Sequence, residues 1–570
     1  MHPIDRRSLL SSGLAAGTLA VTPALAQPAV SIAMRTSAVA TPDFPSAVVG
    51  ADILRRGGNA VDAAVAIGLA LAVTYPEAGN IGGGGFMTGS SGGRPWFLDY
   101  RETAPAAARE TMYQGPDGRV IDGLSLVGNL AAGVPGTVRG LWDAHRRFGR
   151  MRWRDLVRPA VDLAANGFEV PEQMVRVMGD AQRDLGGADR LGGTFGTLAA
   201  GQTFRQPDLA RTLDIIARRG ADGFYRGEVA RLIEAQMQRG SPRGLITRAD
   251  LAAYRARWRE PILGSWNGLQ VISAPPPSSG GIALMQLLQM KAARADLFRG
   301  VAHNSAQYIH LMAELSKRVF ADRARYLGDP DFTRVPVAAL IDPSYAARRA
   351  AGIDPARPSP TASIQPGLER PQTTHYSVVD GDGNAVSNTY TINGWYGSGV
   401  VVEGAGFLLN NEMDDFSAAP GVPNQFGVVG GLANAIAPGK RPLSSMTPTL
   451  LTRDGRVVMA VGSPGGSRII TTVFQMIANV FDFGMSLEDA VKAQRFHHQL
   501  LPENTIFTEP FGGGLDAAVR ADLEGRGYRF EMQDYVGDVA AILSPAPGEL
   551  TTAPDPRARG HGLSVYSIGG

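Results

Sequence analysis

The run AVDAAVAIGLALAV, residues 60 to 73, is apolar on nearly every side of a helix, with Gly57-Gly58 breaking the chain before it. A helix of that kind has no face to offer water, so it is buried and other elements must cover it all round. That demand excludes a thin or extended fold and calls for a layered body with a large interior. A chain of 570 residues, 44% of them hydrophobic, has the material for one. The 71 glycines and 38 prolines point to many turns on an α/β scaffold rather than a helical bundle.

Around that helix the pattern is legible in outline. A first helix precedes Gly57, and IGGGGFM opens a strand. GGRPWFLDYRE makes the turn and strand that bring in Arg101. Helical periodicity dominates from about residue 135 to 325, interrupted by the strand-like LQVISAPPPSSGG. Residues 351 to 372 carry five prolines and no periodicity, which marks an exposed connecting segment. Strand signals resume at Thr373, hairpins run to about residue 462, and helices near 467–480 and 486–496 precede closing strands. The order implies two sheets between helical layers.

Lys+Arg 55 against Asp+Glu 53 leaves a net charge of only +2, and no basic tail is present, so nucleic acid is not an expected partner. Cysteine is absent, which excludes disulfides, thiolate zinc sites and cysteine nucleophiles. At the N-terminus Arg6-Arg7 precede a mildly apolar run from Leu9 to Val21, then Ala24-Leu25-Ala26, a small-x-small peptidase site. Residues 1–26 are therefore expected to be a twin-arginine-like export signal, too short in its apolar part to span a bilayer. A periplasmic or secreted protein without stable membrane insertion follows.

The chemistry is suggested by PQTTHYSVVDGDGNAVSNTYTIN, residues 371 to 393, where a strand opens abruptly on Thr373-Thr374. A turn centred between Asp382 and Gly383 puts Thr373 opposite Ile392, with Thr391 and Asn393 as diagonal neighbours on one face. A second hairpin turning at Asp454-Gly455 sets Ser444 and Ser445 opposite Gly465 and Pro464. GSPGGS, residues 462 to 467, leads from strand to helix, where backbone N–H groups stabilise an anion. No Ser/His/Asp arrangement supplies a base, and His375, His497 and His498 read as structural. A threonine activated without histidine uses its own α-amine, whose ordinary pKa of roughly 7.7 to 8.0 suits a base near neutral pH. That requires a cut between Gln372 and Thr373.

These features resemble the γ-glutamyltransferases, or glutathione hydrolases, of the N-terminal-nucleophile hydrolase superfamily. The resemblance runs from about residue 36 to the C-terminus through PEAGNIGGGGFM, LDYRETAP, GVPGTVRG, PPPSSGG, YLGDPDF, TTHYSVVDGDGNAVS, LLNNEMDDFS, GKRPLSSMTPT and GSPGGSRII, nine motifs in family order. It implies a four-layer αββα sandwich built from both fragments of a self-cleaved precursor, a large subunit 27–372 and a small subunit 373–570 that form a heterodimer. It implies Thr373 as nucleophile, Thr391 as the residue that orients it, and Gly465 and Gly466 as the oxyanion hole. Arg101, Ser444 and Ser445 would hold the substrate α-carboxylate; Asn393, Glu412 and Asp415 would hold its α-ammonium. The implied donors are glutathione and other γ-glutamyl compounds, the acceptors water, amino acids or dipeptides, with no metal and no cofactor. The loop SAAPGVPNQFGVVGG resembles the family's lid, with Phe426 where related sequences often have Tyr.

Arg offers a planar fork that a carboxylate accepts in two places, whereas a surface salt bridge to Glu102 is the plainer role for Arg101. Glu412 and Asp415 suit convergence on one cation. A glutaryl-type β-lactam acylase on the same fold is the competing enzyme, disfavoured by Asp415 because a glutaryl group has no α-ammonium. A catalytically inactive exported binding protein is the competing non-enzyme, disfavoured because Thr373, Thr391 and the glycine pair are all present.

Overall fold

The computed structural model describes residues 33–34, 37–187, 191–361, 373–419, 432–546 and 548–565. The export signal, Gln372 and Phe426 lie outside them. Ala60–Thr74 forms the expected helix with every residue buried; Asn59 and Asp62 close its N-terminus as a reciprocal capping box. Phe44–Arg55 crosses it so closely that a Cβ at Gly50 would meet Ile67 at 2.5 Å.

Two seven-stranded antiparallel sheets stack face to face. The first runs His561–Val565, Ser37–Thr41, Thr374–Val379, Ala385–Thr391, Gly84–Ser91, Arg94–Asp99 and Arg257–Arg259. The second runs Ala33–Met34, Leu550–Pro554, Ala540–Leu543, Arg456–Val461, Thr449–Arg453, Leu269–Ser273 and Ile262–Trp266. Helices 60–74 and 137–148 cover the first sheet, while 280–293 and 468–481 pack in the core on the side of the second. This is the αββα sandwich expected. Both sheets interleave strands from before and after residue 373, so a break there leaves neither half with a complete sheet.

Three details differ from expectation. In the hairpin after Thr373 the pairing is Thr374 with Tyr390, which aligns Thr373 with Thr391 instead of Ile392. The cause is the turn: the Asp380 carboxylate accepts the N–H groups of Asp382 and Asn384, and the loop closes around Asp382. The second hairpin turns where expected but slips by one residue at a bulge between Leu451 and Thr452. Ser444 and Ser445 fall beyond its ladder, and Ser444 forms a parallel bridge with Ser278 of the PPPSSGG loop. Its N–H donates to Pro277 O (2.9 Å) and its carbonyl accepts from Ser279 N (2.7 Å). Finally, Arg101 stands just past the end of its strand, which closes at Asp99.

Candidate active site

Thr373 stands buried at the head of the third strand of the first sheet, one residue before its ladder begins. Thr391 ends the neighbouring strand. Its hydroxyl oxygen accepts the N–H of Asn393 (2.8 Å). Asn393 adopts φ 71° and donates its amide to Asn411 O (3.0 Å). The run Gly82-Gly83-Gly84-Gly85 explains how the neighbouring chain comes so near. A Cβ at Gly83 would lie 1.9 Å from the Thr391 carbonyl oxygen, and one at Gly82 2.0 Å from that of Leu408.

Arg101 is fully buried and reaches both acids expected to bind a cation, its two terminal nitrogens contacting Glu412 and Asp415. It also donates to Pro442 O (3.3 Å) and Leu443 O (3.2 Å), which ties it to the segment carrying Ser444 and Ser445. The surface salt bridge to Glu102 is overturned. Neither side chain is at the surface, and Glu102 lies 4.0 Å away. Glu412 to Asp415 form one 3-10 turn in which Asp414 points elsewhere, accepting from Ser125 Oγ at 2.5 Å. Burial drives the Glu412 carboxyl well above the usual carboxylate range, although Arg101 opposes the rise.

Between the strand 456–461 and the helix 468–481, Gly465 (φ 137°) and Gly466 (φ 53°) adopt backbone angles that disfavour any side chain. Neither N–H has a partner among the described residues, so both remain available to an anion. Sequence reasoning missed what holds this loop. Asp538 N–H donates to Ser463 Oγ (3.0 Å), and buried Arg495 grips the carbonyls of Val536 and Gly537 (3.3 and 3.1 Å) while pairing with Asp555 (2.8 Å).

The histidines are structural. His375 Nδ1 meets Thr389 Oγ1 (2.8 Å) and Nε2 meets Ser377 Oγ (3.1 Å), so both ring nitrogens are occupied. Burial lowers its pKa to about 3, and that of His497 likewise. Among the described residues no cluster of His, Cys, Asp and Glu suits a metal ion.

The fold and the site's residue pattern define an N-terminal-nucleophile hydrolase. The family profile described as gamma-glutamyltranspeptidase matches residues 46–565. A glutathione hydrolase proenzyme of Pseudomonas aeruginosa is 58% identical over 529 residues, 93% of this chain and 94% of that protein. The structure of the Pseudomonas nitroreducens gamma-glutamyltranspeptidase complexed with L-DON is 55% identical, with TM-score 0.56 over 57% of this chain and 96% of that one. A cephalosporin acylase from Bacillus halodurans superposes with TM-score 0.81 over 96% and 99% of the two chains, at 25% identity. The chain belongs to the gamma-glutamyltranspeptidase family and is a self-processing enzyme of that family.

Proposed function

We propose that the precursor cleaves itself between Gln372 and Thr373 and that Thr373 then acts as the nucleophile toward γ-glutamyl amides, glutathione among them. The products of that cut are a large subunit, 27–372, and a small subunit, 373–570, held together as a heterodimer by their interleaved strands.

In this reading Thr373 Oγ attacks the γ-carbonyl while its α-amine takes the hydroxyl proton, and Thr391 O–H orients the attacking oxygen. Negative charge developing on the carbonyl oxygen meets the N–H groups of Gly465 and Gly466. The intermediate collapses to a γ-glutamyl ester as the leaving amine receives the proton. Water, an amino acid or a dipeptide then attacks the ester and frees Thr373. Arg101, Ser444 and Ser445 hold the donor's α-carboxylate; Asn393, Glu412 and Asp415 hold its α-ammonium.

The observation that carries this reading is the buried convergence of Glu412 and Asp415 on Arg101. A ligand bearing both a carboxylate and an ammonium can give Arg101 and the two acids new partners at once, whereas a glutaryl group strands the acids. Acyl transfer from γ-glutamyl-p-nitroanilide, followed with and without glycylglycine, tests it. Release of nitroaniline that glycylglycine accelerates is expected; processed protein that releases none contradicts it.

Export through the signal at residues 1–26 belongs to the same proposal. Among the described residues no helix is long and apolar enough to cross a membrane. Replacing Arg6-Arg7 by two lysines is expected to leave the precursor uncleaved by the signal peptidase and inside the cell; unimpaired export contradicts the twin-arginine route.

A further inference from the structure

Glu102 is the one acid of the donor-head cluster left without a role above, although it is fully buried and adjoins Arg101 in sequence. No side chain or backbone group of another described residue hydrogen-bonds either of its carboxyl oxygens. Its closest cation is the Arg101 guanidinium at 4.0 Å, whose two ends are already engaged by Glu412 and Asp415. Arg259 and Arg441 are committed to Asp99 (2.8 and 3.2 Å). One available positive charge thus serves three carboxyl groups. An unpaired carboxylate buried without donors is too costly to keep, and such a group takes up a proton instead.

We propose that Glu102 is a positioning residue of the donor site, a neutral carboxylic acid that backs Arg101 and leaves its positive charge to the donor's α-carboxylate. Ionised, it would compete with that carboxylate for the same guanidinium. The groups facing it support the neutral form. Its neighbours include the acids Asp415 and Asp99, which oppose a charge on it, and the phenols of Tyr100, Tyr225 and Tyr254 add no cation. Burial pushes its carboxyl up to about 8, with Arg101 and its own backbone N–H opposing the rise. Glu102 is therefore uncharged below that pH and negative above it, so donor binding weakens as pH climbs through 8.

This rests on the assignment of Arg101 to the α-carboxylate. KM and kcat for γ-glutamyl-p-nitroanilide are measured from pH 6.5 to 9.5 on processed wild type, Glu102→Gln and Glu102→Asp. Because the donor's own ammonium titrates identically with every enzyme, the ratio of wild-type to Glu102→Gln KM isolates Glu102. That ratio is expected to rise at least fivefold between pH 7 and 9.5 while the kcat ratio stays level. Glu102→Asp, which still titrates, keeps the alkaline rise. Should the glutamine variant fail to process, Glu102→Met, of similar length and unable to ionise, gives the same comparison. A KM ratio that is constant with pH overturns the proposal. Arg101→Lys is run alongside: if it loses no affinity, the assignment of Arg101 has failed rather than the role of Glu102.

Discussion

Arg101 and Asp415 lie 314 residues apart, on opposite sides of Thr373, and form an ion pair in which the arginine is fully buried. Glu412 closes on the other end of the same guanidinium. On the proposed function, donor binding is an exchange of partners at this cluster, and an incoming carboxylate alone would take Arg101 from its acids and give them nothing back.

Asp415→Asn keeps the shape and removes one charge proposed to hold the α-ammonium. Losing one partner of a buried pair costs about 2 to 5 kcal/mol, so kcat/KM for γ-glutamyl anilide is expected to fall roughly 30- to several-thousand-fold. Glutaryl anilide, poor with wild type, is expected to lose little or to gain. Equal losses on both substrates, measured after processing is confirmed on a gel, would assign Asp415 to the fold instead.

Arg101→Lys is expected to weaken γ-glutamyl donors sharply, since an ammonium cannot reproduce the guanidinium's simultaneous grip on Glu412, Asp415 and two carbonyls. Self-cleavage is expected to survive. An unchanged kcat/KM would move the carboxylate site elsewhere.

Gly465→Ala forces a side chain onto φ 137°, a strained backbone angle, although its Cβ would make only ordinary contact, 3.5 Å, with that of Arg468. The loop must shift, and its N–H groups with it. Loss of one oxyanion donor costs about 10² to 10³ in kcat, so that loss with KM held within a few fold is expected on processed enzyme. A change confined to KM would argue against an oxyanion role.

His375 and His497, held neutral by burial, set an acid limit on stability rather than the pH profile of turnover. Their folded pKa values of about 3 lie below the unfolded value near 6.5, so the unfolded state binds protons first as pH falls. The melting temperature is expected to drop progressively from about pH 6.5 downward, and His375→Gln to flatten that slope. A wild-type melting curve independent of pH between 6.5 and 4.5 would contradict their neutral burial.

The helix 60–74 was legible because an all-round apolar surface admits one environment, and the αββα layering followed from the order of helices and hairpins. The placement of Thr373 and Thr391 at strand ends and of the glycine pair at a strand-to-helix junction was legible because such positions leave strong local marks. Register was not: alternation fixes which face a residue takes, whereas the cross-strand partner depends on how Asp380 caps its turn and on the bulge at Leu451. The convergence of Glu412 and Asp415 on one cation was expected, but that both reach Arg101 depends on packing between segments 314 residues apart. Glu102 stayed outside the expected site because nothing local announces that a Glu beside an Arg is buried.

The central claim, that Thr373 becomes an N-terminal residue and uses its own α-amine, is tested most directly by N-terminal sequencing and mass measurement of the purified, active protein. Two fragments are expected, the smaller beginning Thr-Thr-His-Tyr-Ser and spanning residues 373 to 570. Thr373→Ala, prepared in parallel, is expected to give one uncut and inactive chain. A wild-type protein that is intact across Gln372–Thr373 and fully active would contradict the mechanism.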